Sequence, residues 1–404
     1  MKKIAILVFF TVGFFVHVWA CTGLIAGKQA TVDGSVLVTY SADSHTLYGA
    51  LTSSPAADWP KGSMRSIVEW DTNKPLGEIE QVEHTYAVMG NMNEHQLTVV
   101  ESTWGGRPEL VDTTGIIDYG SLMQLALERA KTAREAIKVM TGLVKKYGYY
   151  SSGESFTIAD PNEAWILDLI GKGPGRRGAV WVAVRIPDDC IAGHANYPRI
   201  HKIPMDDKEN CLYSPDVISF AREMGYFDGL NKDFSFARAY SPADFGALRA
   251  CDARVWSFFR KYDSTMDNYL PYVNGESAEP FPLYVKPSRK LSVQDMKEAM
   301  RDHFEDTPFD MTQDVGAGPF KVPYRFRPMS FEVDGKSYCM ERAIATQQTG
   351  FTLVGQMRNW LPDPVGGVLW FGVDDANTCV YIPMYCGITQ VPECFSPENG
   401  SMYD

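Results

Sequence analysis

After its first twenty residues the chain has no long hydrophobic run, which excludes a helix of membrane length, since that needs about 20 consecutive apolar residues. Basic residues are the minority, 38 Lys and Arg against 50 Asp and Glu in 404 residues, for a formal net charge of −12. No basic cluster offsets this; Lys145-Lys146 and Arg176-Arg177 are isolated pairs. Phosphate recognition requires clustered cations, so nucleic acid is not the expected partner. No Cys-x-x-Cys occurs and no Cys/His spacing suits zinc, so no metal is expected. The glycine-rich stretch Gly171 to Gly178 lacks the order of a phosphate-binding loop and reads as a hairpin turn between two strands. No cofactor motif, internal repeat or low-complexity segment is present, and no cofactor is expected.

What is present begins at the N-terminus. Lys2 and Lys3 precede an apolar stretch over residues 4–16, and Val18-Trp19-Ala20 precedes Cys21. That is the layout of a secretory signal peptide over residues 1–20, and it predicts export to a periplasmic or extracellular space. Removing it leaves residues 21–404 with no membrane attachment and a formal charge of −14, because Lys2 and Lys3 leave. Export permits disulfides. With Cys21 set aside seven cysteines remain, so at least one stays free or pairs between chains, and the spacing does not say which. The oligomeric state is open, a homo-oligomer included. The chain stops at Ser401-Met402-Tyr403-Asp404, just after a cysteine-bearing strand and loop, and reads as a fragment truncated at its C-terminus.

The element pattern is strands, helices, strands, helices, strands. Thr22 to Gly27 and Ser35 to Tyr40 form a hairpin with Asp33-Gly34 at its turn. Short strands are expected at Ile67 to Trp70, Thr85 to Met89 and Leu97 to Glu101. Residues 118–147 carry helical periodicity in two pieces, the second opened by a capping box at Thr132 to Glu135 and ended by Gly148. A meander follows in Ser155 to Ala159, Ala164 to Ile170 and Ala179 to Ile186. Ser214-Pro215 and Ser241-Pro242 each predict a helix start. Residues 263–290 read as loop, Ser292 caps a helix to about His303, and Tyr338 to Gly355 and Val368 to Ile382 return to strand. The order predicts a layered α+β protein with antiparallel sheets covered by helices.

Cleavage after Ala20 gives Cys21 both a thiol and a free α-amine. An α-amine titrates near about 7.7–8.0, so a useful fraction is neutral at pH 7 and can take the thiol proton. The thiolate then attacks a carbonyl, and the same amine returns a proton to the leaving group, with no histidine required. Hairpin register places Cys21 opposite residues 42–46, where Asp43 and His45 lie. Asp43 there either orients the ammonium or is a polar strand end.

Cys21-Thr22-Gly23-Leu24-Ile25-Ala26-Gly27-Lys28, Asp33-Gly34-Ser35 and Asp43-Ser44-His45 together resemble the opening of the PepD-type dipeptidases, peptidase family C69, within the N-terminal-nucleophile hydrolases. Gly90-Asn91-Met92-Asn93-Glu94, Glu101-Ser102-Thr103, Ala159 to Trp165 and His194-Ala195-Asn196 extend the likeness over most of residues 21–200. The resemblance implies one hydrolase domain over residues 21–404, a four-layer αββα sandwich of two antiparallel sheets, and hydrolysis of dipeptides. It implies Cys21 as nucleophile, Asp43 as the residue orienting the N-terminus and Asn196 as oxyanion donor. Thr103, Tyr40, Asn93 and His194 are further candidates for substrate or oxyanion contact. Two positions depart from the pattern: Tyr40 stands where many relatives have arginine, and Thr103 lies near an asparagine of the acylases. The substrate amine calls for an acidic reader among Asp43, Glu94, Glu101 and Glu154. Alternatives are an N-acyl amide hydrolase or acyltransferase of the penicillin V acylase type and, in another class, a lipid-anchored binding protein modified at Cys21, for which Trp19 is a bulky, poor fit.

Overall fold

The computed structural model describes residues 21–44, 49–325 and 330–396. The leader, His45 and the last four residues therefore lie outside the described residues. Two large antiparallel sheets carry the fold, which is α+β as the element order predicts. The first runs, in spatial order, through Tyr284–Val285, Ile191–His194, Gly23–Ala26 (β1), Val36–Asp43 (β2), Thr349–Met357, Val368–Val373 and Ile382–Tyr385. The second runs through Cys211–Tyr213, Ala179–Ile186, Ala164–Gly171, Gly153–Ala159, Thr98–Trp104, Met92–Asn93, Val88–Met89 and Ser53–Ser54.

Side chains alternate across a strand, so each sheet offers two faces. Ile25, Val38, Tyr40 and Leu353 of the first sheet share one apolar cluster with Val100, Trp104, Ile166 and Val182 of the second. Leu24, Leu37 and Val354 point the other way and pack with Val255, Phe258 and Phe259 of helix Ala253–Arg260 and Met296 of helix Val293–Met300. Val99, Phe156, Ile158 and Leu167 pack with helices Tyr119–Arg129 (α1) and Ala133–Tyr147 (α2).

The helix signals around α1 and α2 are met closely. Asp118 caps α1 by accepting from the Ser121 N–H, Thr132 caps α2 by accepting from the Glu135 N–H, and Gly148 ends α2 at φ +81°. The reciprocal half of the expected capping box goes elsewhere, because Glu135 accepts from the Lys131 N–H, 2.8 Å away. At Ser292 the complete box forms with Asp295, and the helix ends at Met300 rather than near His303.

Other expectations need correction. Ser214-Pro215 precedes the helix by two residues; Asp216 is its N-cap and the helix is Val217–Glu223. Ser241 ends helix Phe236–Tyr240 instead of starting one. The expected strand Ile67 to Trp70 is Met64–Val68, paired with Pro75–Glu80, and Thr85 to Met89 divides into His84–Thr85 and Val88–Met89 on different partners. Within residues 263–290, Tyr284–Val285 adds an edge strand to the first sheet. Tyr338 to Gly355 splits into Lys336–Cys339, hairpinned with Ser330–Val333, and Thr349–Met357 in the first sheet. Gly171 to Gly178 joins two paired strands of the second sheet, as its hairpin reading requires. The seven cysteines whose side chains are described, Cys21 included, are free thiols.

Candidate active site

The β1–β2 hairpin builds the site. Ile25 pairs with Val38, Ala26 with Leu37, and a bridge joins Thr22 to Ser41. Continuing that register puts Cys21 beside Ala42 and Asp43. Strand β2 runs three residues past the expected Tyr40 because Thr349–Met357 pairs along its other edge. A register shift between Thr349 and Phe351 falls at the Asp43 end of that pairing, and bulges of this kind re-aim side chains. Here Thr349 Oγ1 donates to Asp43 Oδ1 at 2.6 Å. Asp43 Oδ2 accepts from Ser41 Oγ at 3.2 Å and is ion-paired with Arg342. The aspartate is buried, and the buried guanidinium together with two hydroxyls fixes both its oxygens.

Cys21 is 5 % exposed and lines a cavity of about 280 Å³. Its Sγ lies 3.7 Å from the Tyr40 hydroxyl, which in turn donates to Glu101 Oε1 at 2.5 Å. Thr103 Oγ1 reaches the other Glu101 oxygen at 3.5 Å. Burial raises the thiol well above its ordinary range, and the Glu101 and Asp43 carboxylates raise it further; the Asp43 backbone N–H and the Tyr40 hydroxyl work the other way. Behind Glu101, Glu154 faces Thr103 across the strand pair and is fully buried. Burial and the neighbouring Glu101 push its carboxyl far up, so it is held neutral. The remaining cavity wall is largely apolar, with Leu51, Met123, Leu127, Phe351 and Phe371, and Trp70 and Tyr119 at the α1 side.

Asn196 stands next to Cys21 on the opposite edge of β1, since Gly23 pairs with His194. Its φ is +56°, a left-handed conformation that asparagine adopts more readily than most residues. Its Nδ2 donates to the Thr103 carbonyl at 2.6 Å. Arg254, fully buried on helix Ala253–Arg260, ties the two together. It donates from Nη1 to the Cys21 carbonyl (2.8 Å) and Thr22 Oγ1 (2.7 Å), and from Nη2 to the Ala195 carbonyl (3.2 Å) and Asn196 Oδ1 (2.7 Å). Because a guanidinium only donates, it fixes the asparagine amide with its oxygen toward Arg254 and its NH₂ away. Burial, with Arg342 nearby, pulls Arg254 down to about 10, still fully charged near neutrality.

A sequence profile of peptidase family C69 matches residues 20–403. The chain belongs to peptidase family C69. It is 27% identical to a probable dipeptidase of Salmonella dublin over 91% of this chain and 81% of that protein. It is 25% identical to a probable dipeptidase of Latilactobacillus sakei, covering 93% of this chain and 76% of the relative. It is also 25% identical to dipeptidase A of Lactobacillus helveticus, with 93% and 77% covered.

In this C69 peptidase, Cys21, Tyr40, Asp43 and Thr103 line one cavity, whereas Asn196 does not line it and donates to the Thr103 carbonyl behind its wall. Two expected contact residues do not line it. Asn93 is buried, donates to the Leu127 and Ala130 carbonyls at the end of α1, and accepts from the His95 and Leu97 N–H groups. It organises a turn. His194 is buried between Ser102 Oγ (2.6 Å) and Thr157 Oγ1 (2.8 Å), and burial with the Arg254 charge lowers it to about 3. It is a neutral interior residue. His201, bonded to Ser235, is likewise held neutral, lowered to about 3 by burial. Of the acidic candidates, Glu101 and Asp43 line the cavity, whereas Glu94 accepts the Ala87 N–H. Arg254 and Arg342 went unremarked in the sequence. Arg254 had a signal: it is the one charged residue of the Ala253 to Phe259 run, whose other residues are apolar except Ser257, and an arginine in such a helix is buried only with partners.

Proposed function

We propose that this C69 peptidase is an exported dipeptidase, freed of residues 1–20, whose Cys21 forms an acyl-enzyme with its own α-amine as general base. The observation that carries this reading is the buried Cys21 thiol in a dipeptide-scale cavity, one residue across the sheet from an Asp43 locked by Arg342 and Thr349. In the freed chain Asp43 holds the new ammonium and sets its titration. The amine accepts the thiol proton, the sulfur attacks the carbonyl, and the Asn196 amide, oriented by Arg254, donates to the tetrahedral oxyanion. The amine then protonates the departing amine, and water releases the acid. The three apolar clusters, one shared by the sheets and one on the outer face of each, support the four-layer αββα reading of an N-terminal-nucleophile hydrolase.

The apolar wall of Leu51, Met123, Leu127, Phe351 and Phe371 also suits an acyl chain, so N-acyl amide hydrolysis stands as the second reading. A lipid anchor at Cys21 is disfavoured because its sulfur is buried beside Tyr40. The test is the intact mass and N-terminal sequence of protein exported with its own leader, together with dipeptide turnover by wild type, Cys21→Ala and Asp43→Asn. An unmodified Cys21 start, no turnover in Cys21→Ala and a rate lowered on the order of 10²-fold or more in Asp43→Asn are expected. A chain starting elsewhere, or full activity in Cys21→Ala, ends the proposal.

A further inference from the structure

Among the described acidic groups near Cys21, Glu101 lines the cavity and has no basic side chain paired with it. Asp43 accepts from Arg342, Thr349 and Ser41, and the proposed chemistry gives its remaining capacity to the Cys21 ammonium. Glu154 lies behind the wall and Glu94 caps a backbone N–H. Glu101 accepts one short bond from Tyr40 and a long one from Thr103, and the raised Glu154 carboxyl is hydrogen-bonded to it from behind. The Glu101 carboxylate stands against ionisation of both Glu154 and the Cys21 thiol.

Its position relative to the nucleophile is informative. From Sγ the path to Glu101 Oε1 is 3.7 Å to the Tyr40 oxygen and then 2.5 Å. In an amino acid an ammonium lies two bonds from its carbonyl carbon, about 2.5 Å away. A carbonyl at attack distance from Sγ, about 3–3.5 Å, therefore carries its α-ammonium within reach of Glu101. An N-acyl group presents no cation there and would leave this charge unpaired in a largely apolar cavity, which is costly.

Building on the proposed function, we infer that Glu101 is the specificity residue that reads the free α-ammonium of the substrate, and that seating this cation is what releases Cys21 for attack. The Tyr40 hydroxyl lowers the thiol only when it donates to sulfur; while it donates to Glu101 its oxygen can only accept from the thiol, which then keeps its proton. The Glu101 charge stands against a thiolate as well. A substrate ammonium bonds Glu101 and cancels that charge. The Tyr40 O–H is then free to turn and donate to sulfur, while the thiol proton moves to the Cys21 α-amine and the sulfur–carbon bond forms. Tyrosine, in place of a fixed positive charge at position 40, makes the nucleophile conditional on its substrate.

The experiment measures kcat/KM of wild type and Glu101→Gln on a mixed panel of dipeptides and on the N-acetyl form of each one turned over. Alkylation of Cys21 by iodoacetamide is followed by peptide mass in both proteins. Wild type should prefer the free amine on the order of 10²-fold or more. In Glu101→Gln that ratio should collapse, through loss on the free dipeptide, while Cys21 alkylates faster than in wild type. A variant whose preference equals that of wild type overturns the inference. Should Glu101→Gln fail to fold, wild type is tested on the analogue with hydroxyl in place of the ammonium; equal rates overturn the inference, and a loss on the order of 10²-fold sustains it. Wild type that turns over none of the dipeptides, with Cys21 still alkylated, overturns the proposed function itself and the inference with it.

Discussion

Arg254 shows how much of the site hangs on one side chain that touches no substrate in the proposed chemistry. Its guanidinium holds the Cys21 and Ala195 carbonyls, the Thr22 hydroxyl and the Asn196 amide from a fully buried position, and its Nε donates to the Ala250 carbonyl. A lysine has the charge but not the planar fork, and cannot meet these acceptors together. Arg254→Lys should fold with stability lowered by about 2–3 kcal/mol. It should also lose kcat on the order of 10²-fold with little change in KM, because the Asn196 amide is no longer oriented. Thermal melts and steady-state kinetics check this; a lowered melt with unchanged kcat would make Arg254 structural only. The contrast in legibility is physical. Cys21 and Asp43 are brought together by one hairpin whose register is written in nearby residues. Arg254, Arg342 and Thr349 arrive from more than two hundred positions away, where no local spacing reports on Cys21. Asn93 and His194 show the converse: their neighbourhood in a motif says nothing about which partners a buried polar side chain takes, here the α1 carbonyls and the Ser102 and Thr157 hydroxyls.

Helix α1 does more than cover a sheet. Its cap residue Asp118 accepts from Ser121 N–H with one oxygen and from Trp70 N–H with the other at 2.7 Å, so the helix start also holds the loop that rims the cavity. Gly120 follows in the first turn, and a Cβ there would meet the Trp70 ring at 2.4 Å. The substitution Gly120→Ala gains helix propensity of about 1 kcal/mol and forces the Trp70 ring, 45% exposed, outward. It should leave the melting temperature within a few degrees and kcat intact while raising KM several-fold, as read by steady-state kinetics on the preferred dipeptide. An unchanged KM would mean that the Trp70 rim does not meet substrate. The elements themselves were legible where periodicity was long or caps were explicit, as in α1 and α2. They were misread where pairing is decided by distant strands. Thr85 to Met89 looks like one strand because nothing local reveals that its halves serve Ala57–Asp58 and Ser53–Ser54 separately. Ser241-Pro242 resembles a helix start, yet the Ser241 N–H closes the preceding helix onto Ala237.

At the scale of the whole molecule, the two sheets enclose polar groups whose titration makes stability depend on pH. His194 has no room to be solvated: Ser102 and Thr157 hold its two ring nitrogens, and a Cβ on Gly23 would approach the ring to 2.9 Å. Its folded-state value is lowered to about 3, chiefly by burial and then by Arg254. The ordinary value is near 6.5. A lowered histidine leaves stability intact above pH 6.5; as pH falls toward 3 the unfolded chain takes the proton first, and stability is lost. Asp168 acts in the opposite sense, because burial pushes it up to about 6 and the folded state takes that proton first. The net slope of wild type therefore mixes signs, and a difference between proteins isolates the histidine. His194→Gln is uncharged at every pH. Between pH 6.5 and 4.5 wild type should lose about 2–3 kcal/mol more unfolding free energy than His194→Gln, one unit of differential titration being about 1.4 kcal/mol. Urea unfolding of both proteins at the two pH values measures it. Parallel losses would mean that His194 accepts its proton inside the fold, with Ser102 and Thr157 rearranging to allow it.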